Sequence, residues 1–188
     1  MKRPNILFIL SDQHRHFDMG WAGNAEVQTP VLDALASECA RFSHAYSNCP
    51  VCVPARGSLY TGQHALRHGA AGNDIPIRRD QTGIAQVLSA AGYDTALIGK
   101  WHLGGVPRDQ FIDKDRRLGF QYWRGNNCNH DYMKYYYDDN DDARHYPGQY
   151  EPVAQTALAL EYLEGRKQSD DPWAMWMCYS TPHPPHLR

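Results

Sequence analysis

The chain has 188 residues, 42% of them hydrophobic and 12% aromatic, with a net charge of −2. This suits one globular domain with a sizeable core and excludes a disordered chain. The balanced charge gives no basis for a nucleic-acid or membrane-surface partner, so neither is expected.

The first apolar run, Asn5 to Leu10, ends in Ser11-Asp12. It is too short for a signal segment or a bilayer span and reads as a buried parallel strand, so a cytoplasmic protein is expected. Thr29-Pro30 reads as a helix start, with Thr29 as cap and Val31, Leu32, Leu35 and Ala36 as the apolar stripe. Arg41 to Ser47 reads as a short strand, and Pro54 to Tyr60 as a short helix stopped near Gly62. A helix over Thr82 to Ala91 and a second buried strand over Tyr93 to Ile98 follow, the strand ending in Gly99-Lys100. Gln121 to Tyr150, rich in tyrosine and aspartate and weak in periodicity, reads as a long excursion over one face. Pro152 to Leu163 is expected to be helical with Gly165 as C-cap, and Trp173 to Tyr179 is the third apolar strand. Strands alternating with helices give an α/β fold with a mainly parallel sheet flanked by helices.

Polar groups follow each strong strand: Asp12-Gln13-His14, Lys100-Trp101-His102 and Thr181-Pro182-His183. In open α/β sheets the carboxyl ends of strands border the ligand crevice, so these segments are expected to converge. Cys52 would stand at a helix N-terminus, where amide groups favour negative charge, and Arg56, one turn on, can hold an anion. The five cysteines are an odd, scattered set and no disulfide framework. A redox or zinc role for Cys49 and Cys52 lacks the second pair a zinc site needs.

The segment Cys52-Val53-Pro54-Ala55-Arg56, closed by Thr61-Gly62, resembles the signature of the sulfatase family. Gly99-Lys100-Trp101-His102-Leu103-Gly104 resembles that family's second element, and Pro182-His183-Pro184-Pro185 a third. The likeness runs from Asn5 to His186 and implies the alkaline-phosphatase-like fold. It implies that a formylglycine-generating maturation enzyme oxidises Cys52 to formylglycine, whose hydrate attacks the sulfur of a small-molecule sulfate ester. Asp12, Gln13 and the modified Cys52 would bind a divalent metal, calcium (Ca2+) first, with Mg2+ or Mn2+ as alternatives. Arg56 and Lys100 would hold the sulfate, His102 would orient or deprotonate the diol, and His183 would assist the leaving alcohol. His68-Gly69 fits a structural element of the family, and His14 and His16 would line the mouth.

Two departures accompany the likeness. Ala55 replaces the family's commonest serine. Family members are also longer, with a downstream Asp-Asn or Asp-His pair for the metal and a further lysine, and no such pair follows the third strand here. The chain therefore reads as the N-terminal part of the catalytic domain with half of the metal site. Three rivals to a sulfatase are a phosphonate monoester or phosphodiester hydrolase of the same superfamily, a truncated and catalytically incomplete chain, and a thiol or zinc protein. A homo-oligomer covering apolar surface stays open. The aspartates of the excursion would favour an aromatic or cationic leaving group over a polyanionic glycan.

Overall fold

A computed structural model describes residues 3–186. Its framework is a six-stranded sheet in the order β1-β6-β2-β3-β4-β5. The strands are β1 (Ile6–Ser11), β2 (Asp94–Lys100), β3 (Tyr122–Asn126), β4 (Tyr137–Asp138), β5 (Arg144–His145) and β6 (Trp173–Tyr179). β1, β6, β2 and β3 are mutually parallel, and β4 and β5 append an antiparallel edge. The helices are α1 (Pro30–Glu38), α2 (Cys52–Thr61), α3 (Ala65–His68), α4 (Ile84–Ala90) and α5 (Glu151–Arg166). The expected α/β class with a mainly parallel, helix-flanked sheet is the one observed, and the three strongest apolar runs are its central strands and one edge.

The period-two alternation of strand side chains divides the core. On one face, Leu97, Trp176 and Cys178 pack with Val53, Tyr60, Trp101, Phe120 and Trp123. On the other, Ala96, Ile98, Met175 and Met177 meet Leu158, Ala159 and Tyr162 of α5. Leu7 and Ile9 on that second face of β1 remain exposed.

Several expectations are corrected. Residues 41–47 form no strand: Phe42 and Tyr46 are 80% and 86% exposed, and no neighbouring strand offers them a ladder. Thr29 does not cap α1 with its side chain; its hydroxyl is spent on Asp33 at 2.7 Å. The stripe on α1 is not core, since Val31, Leu32 and Leu35 are exposed and only Ala36 is buried. Gly165 lies inside α5, which ends at Arg166 with Lys167 as its cap. The 121–150 excursion contains β3, β4 and β5 and buries Tyr132, Tyr135 and Tyr136. Of its aspartates at 138–142, three are ion-paired, Asp138 with Arg144, Asp139 with His145 and Asp142 with Arg117, while Asp141 and Asp142 remain exposed.

One glycine fixes where the functional loop begins. Gly99 has φ +103°, and a Cβ there would lie 2.2 Å from the carbonyl oxygen of Cys178 in the neighbouring strand. Gly99→Ala is therefore expected to cost roughly 3 kcal/mol by forcing strained backbone against β6. Nothing lies within 4 Å of a Cβ at Gly165, inside α5, so Gly165→Ala is expected to stabilise by about 0.5–1 kcal/mol. Denaturant titration of the two variants checks the contrast, and similar effects of both would refute it.

Candidate active site

α2 begins at Cys52, with Val51 as N-cap and Pro54 two residues into the first turn. This is two residues earlier than the sequence suggests, and it seats Cys52 on the first turn as expected. Gly57 lets the helix approach the buried His68 ring, whose Cε1 would lie 2.4 Å from any Cβ. His68 is fully buried, contacts the Ser58 hydroxyl and accepts the Ala70 amide hydrogen, which is the structural part its sequence context suggests.

The three strand ends converge, and Asp12 is their centre. Lys100 Nζ donates to Asp12 Oδ2 at 2.6 Å, and Arg56 Nη2 to the same oxygen at 3.3 Å. The Cys52 thiol points to Asp12 Oδ1 at 3.6 Å. Arg56 Nη1 also donates to the Lys100 carbonyl at 2.6 Å, so the guanidinium ties α2 to the end of β2. Lys100, Arg56 and Asp12 are all buried, 0%, 3% and 8% exposed. Burial raises the Asp12 carboxyl, but Arg56 and Lys100 outweigh it and hold it at about 2. Within hydrogen-bond reach of this carboxylate there are thus two cations, leaving one positive charge uncompensated.

The Cys52 thiol is pushed up, by burial first and by the Asp12 carboxylate second. Together they outweigh the nearby Lys100 and Arg56, so the surroundings do not favour a thiolate.

Trp101 and His102 prolong the parallel pairing of β2 with β3: their amides donate to the carbonyls of Asn126 and Asn127 at 2.8 and 2.6 Å. The buried Asn127 side chain then clamps the turn, accepting the Gly104 amide hydrogen and donating to the Gly105 carbonyl. Trp101 stacks on Tyr60 at 5.0 Å. His102, at φ +61°, is 3% exposed, with no hydrogen-bond partner for either ring nitrogen. Burial, followed by Lys100 and Arg56, lowers it to about 3. His102 is therefore neutral at ordinary pH.

His183 stands in the turn after β6, where its amide donates to Ser180. Its ring stacks on His130 with centroids 4.6 Å apart and planes inclined by 14°. His130 Nε2 is 3.5 Å from Lys100 Nζ. Neither His130 nor Asn127 stands out in the sequence, since both lie in or beside a segment with no periodicity to announce burial. His14 is tied to Ser11 and to the Asp18 carbonyl, and His16 packs edge-on to Trp21.

The donor set falls short of a cation site. Asp12 and Gln13 offer oxygens, Gln13 is exposed at φ +55°, and Cys52 as a thiol is a soft donor. A hard divalent ion takes six or more oxygens. No group of three or more His, Cys, Asp or Glu side chains suited to a metal occurs among the described residues. These residues do not by themselves fit the ion that the family likeness implies. No helix among them is long and apolar enough to cross a membrane.

A family model described as Sulfatase matches residues 4–188. An ulvan-active sulfatase of Formosa agariphila is 43% identical over 185 residues, spanning 98% of this chain and 36% of that protein. The chain thus spans about a third of that relative's length. A structure solved in complex with its substrate D-glucosamine-2-N,6-O-disulfate superposes with a TM-score of 0.84 at 30% identity, covering 97% of this chain and 35% of the other. A phosphonate monoester hydrolase from Silicibacter pomeroyi superposes with a TM-score of 0.72 at 27% identity, covering 97% and 42%.

Proposed function

The chain belongs to the sulfatase family, and on that premise we propose that it carries the nucleophile half of a sulfate-ester hydrolase centred on Cys52. The observation that carries this reading is the meeting of Cys52, Arg56 and Lys100 around one buried carboxylate. Converted to formylglycine, Cys52 would supply a hydrated aldehyde in place of a thiol, which agrees with a site that suppresses the thiolate.

The other residues act by position and charge. Lys100 and Arg56 are already desolvated, so they can attract a sulfuryl group without reorganisation. Their excess of one positive charge over Asp12 suits a monoanionic sulfate ester better than a dianionic phosphate monoester. His102 is a neutral imidazole with both nitrogens unpartnered, able to orient a diol hydroxyl by hydrogen bonding, while its value of about 3 makes it a poor proton acceptor. His183 is half-buried beside Lys100's neighbour His130, and its proton would go to the leaving alcohol. Asp12 and Gln13 are proposed as two donors to a cation whose remaining ligands lie outside the described residues, and no step is assigned to that cation.

A sulfated saccharide is the proposed substrate class, because relatives from two comparisons act on such compounds. A phosphonate monoester, also a monoanion, is the second reading, supported by the likeness to a hydrolase of that class.

Peptide mass spectrometry tests the nucleophile. Co-expression with a formylglycine-generating enzyme should lower the mass of the Cys52 peptide by about 18 Da, thiol to aldehyde. Matured protein should release sulfate faster than it cleaves a phosphonate monoester, and Cys52→Ala should abolish both. An unmodified thiol, or undiminished turnover by Cys52→Ala, would refute the proposal.

A further inference from the structure

We propose that His130 is a positioning residue for His183, its ring face fixing the plane in which the His183 imidazole meets the leaving oxygen. This rests on the sulfate-ester reading for the purpose of the positioning, though not for its geometry.

His183 sits on an irregular turn in which Pro182, Pro184 and Pro185 are exposed. Such a turn leaves a catalytic ring free to rotate about χ1 and χ2 unless another group stops it. Two contacts from the segment after β3 do so. The Tyr132 hydroxyl donates to the His183 carbonyl at 2.6 Å and holds the backbone. The His130 ring, nearly coplanar in orientation and 4.6 Å away, holds the side chain. Tyr132 is itself anchored, since its carbonyl accepts the Glu151 amide hydrogen at 2.8 Å. The Glu151 carboxylate in turn accepts the Ser180 amide hydrogen at 2.9 Å. The turn bearing His183 is therefore gripped at Ser180, at its own carbonyl and on its ring, all by residues of 130–151.

The chemistry of the stack matches the task. His183 Nδ1 faces the Pro184 carbonyl, which leaves Nε2 as the nitrogen for a substrate oxygen. A stacked pair of imidazoles, next to a lysine, accommodates one proton more readily than two. Burial, then Lys100 and His183, lowers His130 to about 4, so its ring is neutral at ordinary pH. A neutral π face packs against the His183 ring without adding a second cation beside Lys100. His130 thus orients a proton donor without donating to substrate itself.

The substitutions that separate face from nitrogen are His130→Phe, which keeps a flat ring, and His130→Ala, which removes it. Loss of orientation should weigh on substrates that need a proton on the leaving group and spare those that do not. In matured protein, His130→Ala should lower kcat for an alkyl sulfate about 30-fold, with KM nearly unchanged. The same variant should lower kcat for 4-nitrophenyl sulfate, whose leaving group needs no acid, by less than about 3-fold, and His130→Phe should recover most of the alkyl sulfate rate. Equal losses on both substrates, or a phenylalanine variant as impaired as the alanine one, would overturn the proposal.

NMR of the imidazole protons in the 188-residue chain gives a readout free of turnover. Wild type should show a ring-to-ring Overhauser effect between His130 and His183. His130→Ala should shift the His183 ring signals while leaving those of buried His68 in place. If wild type hydrolyses no sulfate ester but the NMR result holds, the functional reading fails and the positioning survives. His183 signals unmoved in His130→Ala overturn the positioning whatever the activity.

Discussion

Asp12→Asn should destabilise the chain and at the same time turn its centre into an oxyanion site. Asparagine has the shape of aspartate without the charge, so Lys100 and Arg56 would face each other with no anion between them. Both are buried, and the carboxylate they lose is within 2.6 and 3.3 Å. Removing one member of a buried ion cluster costs about 3–5 kcal/mol, because the uncompensated charge stays in low dielectric. For a domain of this size that corresponds to a fall in Tm of roughly 10 °C.

Inorganic sulfate should then return part of the loss. A ligand that binds only the folded state at 100 times its Kd adds about 2.7 kcal/mol. Sulfate also stabilises proteins generally, by exclusion from their surface, so the quantity to read is the difference between variant and wild type. The expected result is a Tm gain per added sulfate several-fold larger in Asp12→Asn than in wild type. Sodium chloride at matched ionic strength should not reproduce it. A variant as stable as wild type, or parallel sulfate responses, would mean that Asp12 does not hold the two cations together.

How much of this centre the sequence discloses follows from how each part is stabilised. β1, β2 and β6 are continuous apolar runs; β2 and β6 are covered on both faces, where parallel strands show no polar alternation, while β1 at the edge leaves Leu7 and Ile9 exposed. Their termini are legible for the same reason, and so is the meeting of Asp12, Lys100 and His183. β3 is Tyr-Trp-Arg-Gly-Asn, half polar, and is a strand because β2 offers it a ladder; no local preference announces that. The reverse error at residues 41–47 has the same root, since Phe42 and Tyr46 favour a strand but have nothing to pair with. His130 escapes notice because its role depends on a ring more than fifty residues away, a tertiary fact with no trace in spacing. Burial, too, is invisible in sequence. The Lys100-Trp101-His102 element offers a histidine to orient or deprotonate the diol, and nothing in its spacing tells that packing lowers it to about 3.

That depression makes His102 the residue through which mild acid should loosen the fold. The free imidazole titrates near 6.5, while in the folded chain the value is about 3. Between these values the unfolded chain takes up a proton that the native chain refuses. The contribution of His102 is therefore complete above pH 6.5 and is lost progressively as pH falls toward 3. From pH 7 to pH 5 the slope of one proton gives a loss of about 2 kcal/mol. His130, lowered to about 4, acts in the same direction, with a weaker effect because it is only half-buried. Glu151 opposes both: burial raises it, so its contribution is present at low pH and fades as pH rises through its folded value. His102→Asn removes the main acid-labile group, and asparagine tolerates the left-handed backbone at φ +61° better than most non-glycine residues. The variant starts from lower stability because it leaves space in a packed loop, so the slope is the measurement and the height is not. Urea titrations from pH 7 to pH 5 should show wild type losing about 2 kcal/mol and His102→Asn less than half of that. Parallel slopes would place the acid sensitivity elsewhere and would mean that His102 is hydrated enough to accept its proton in the folded chain.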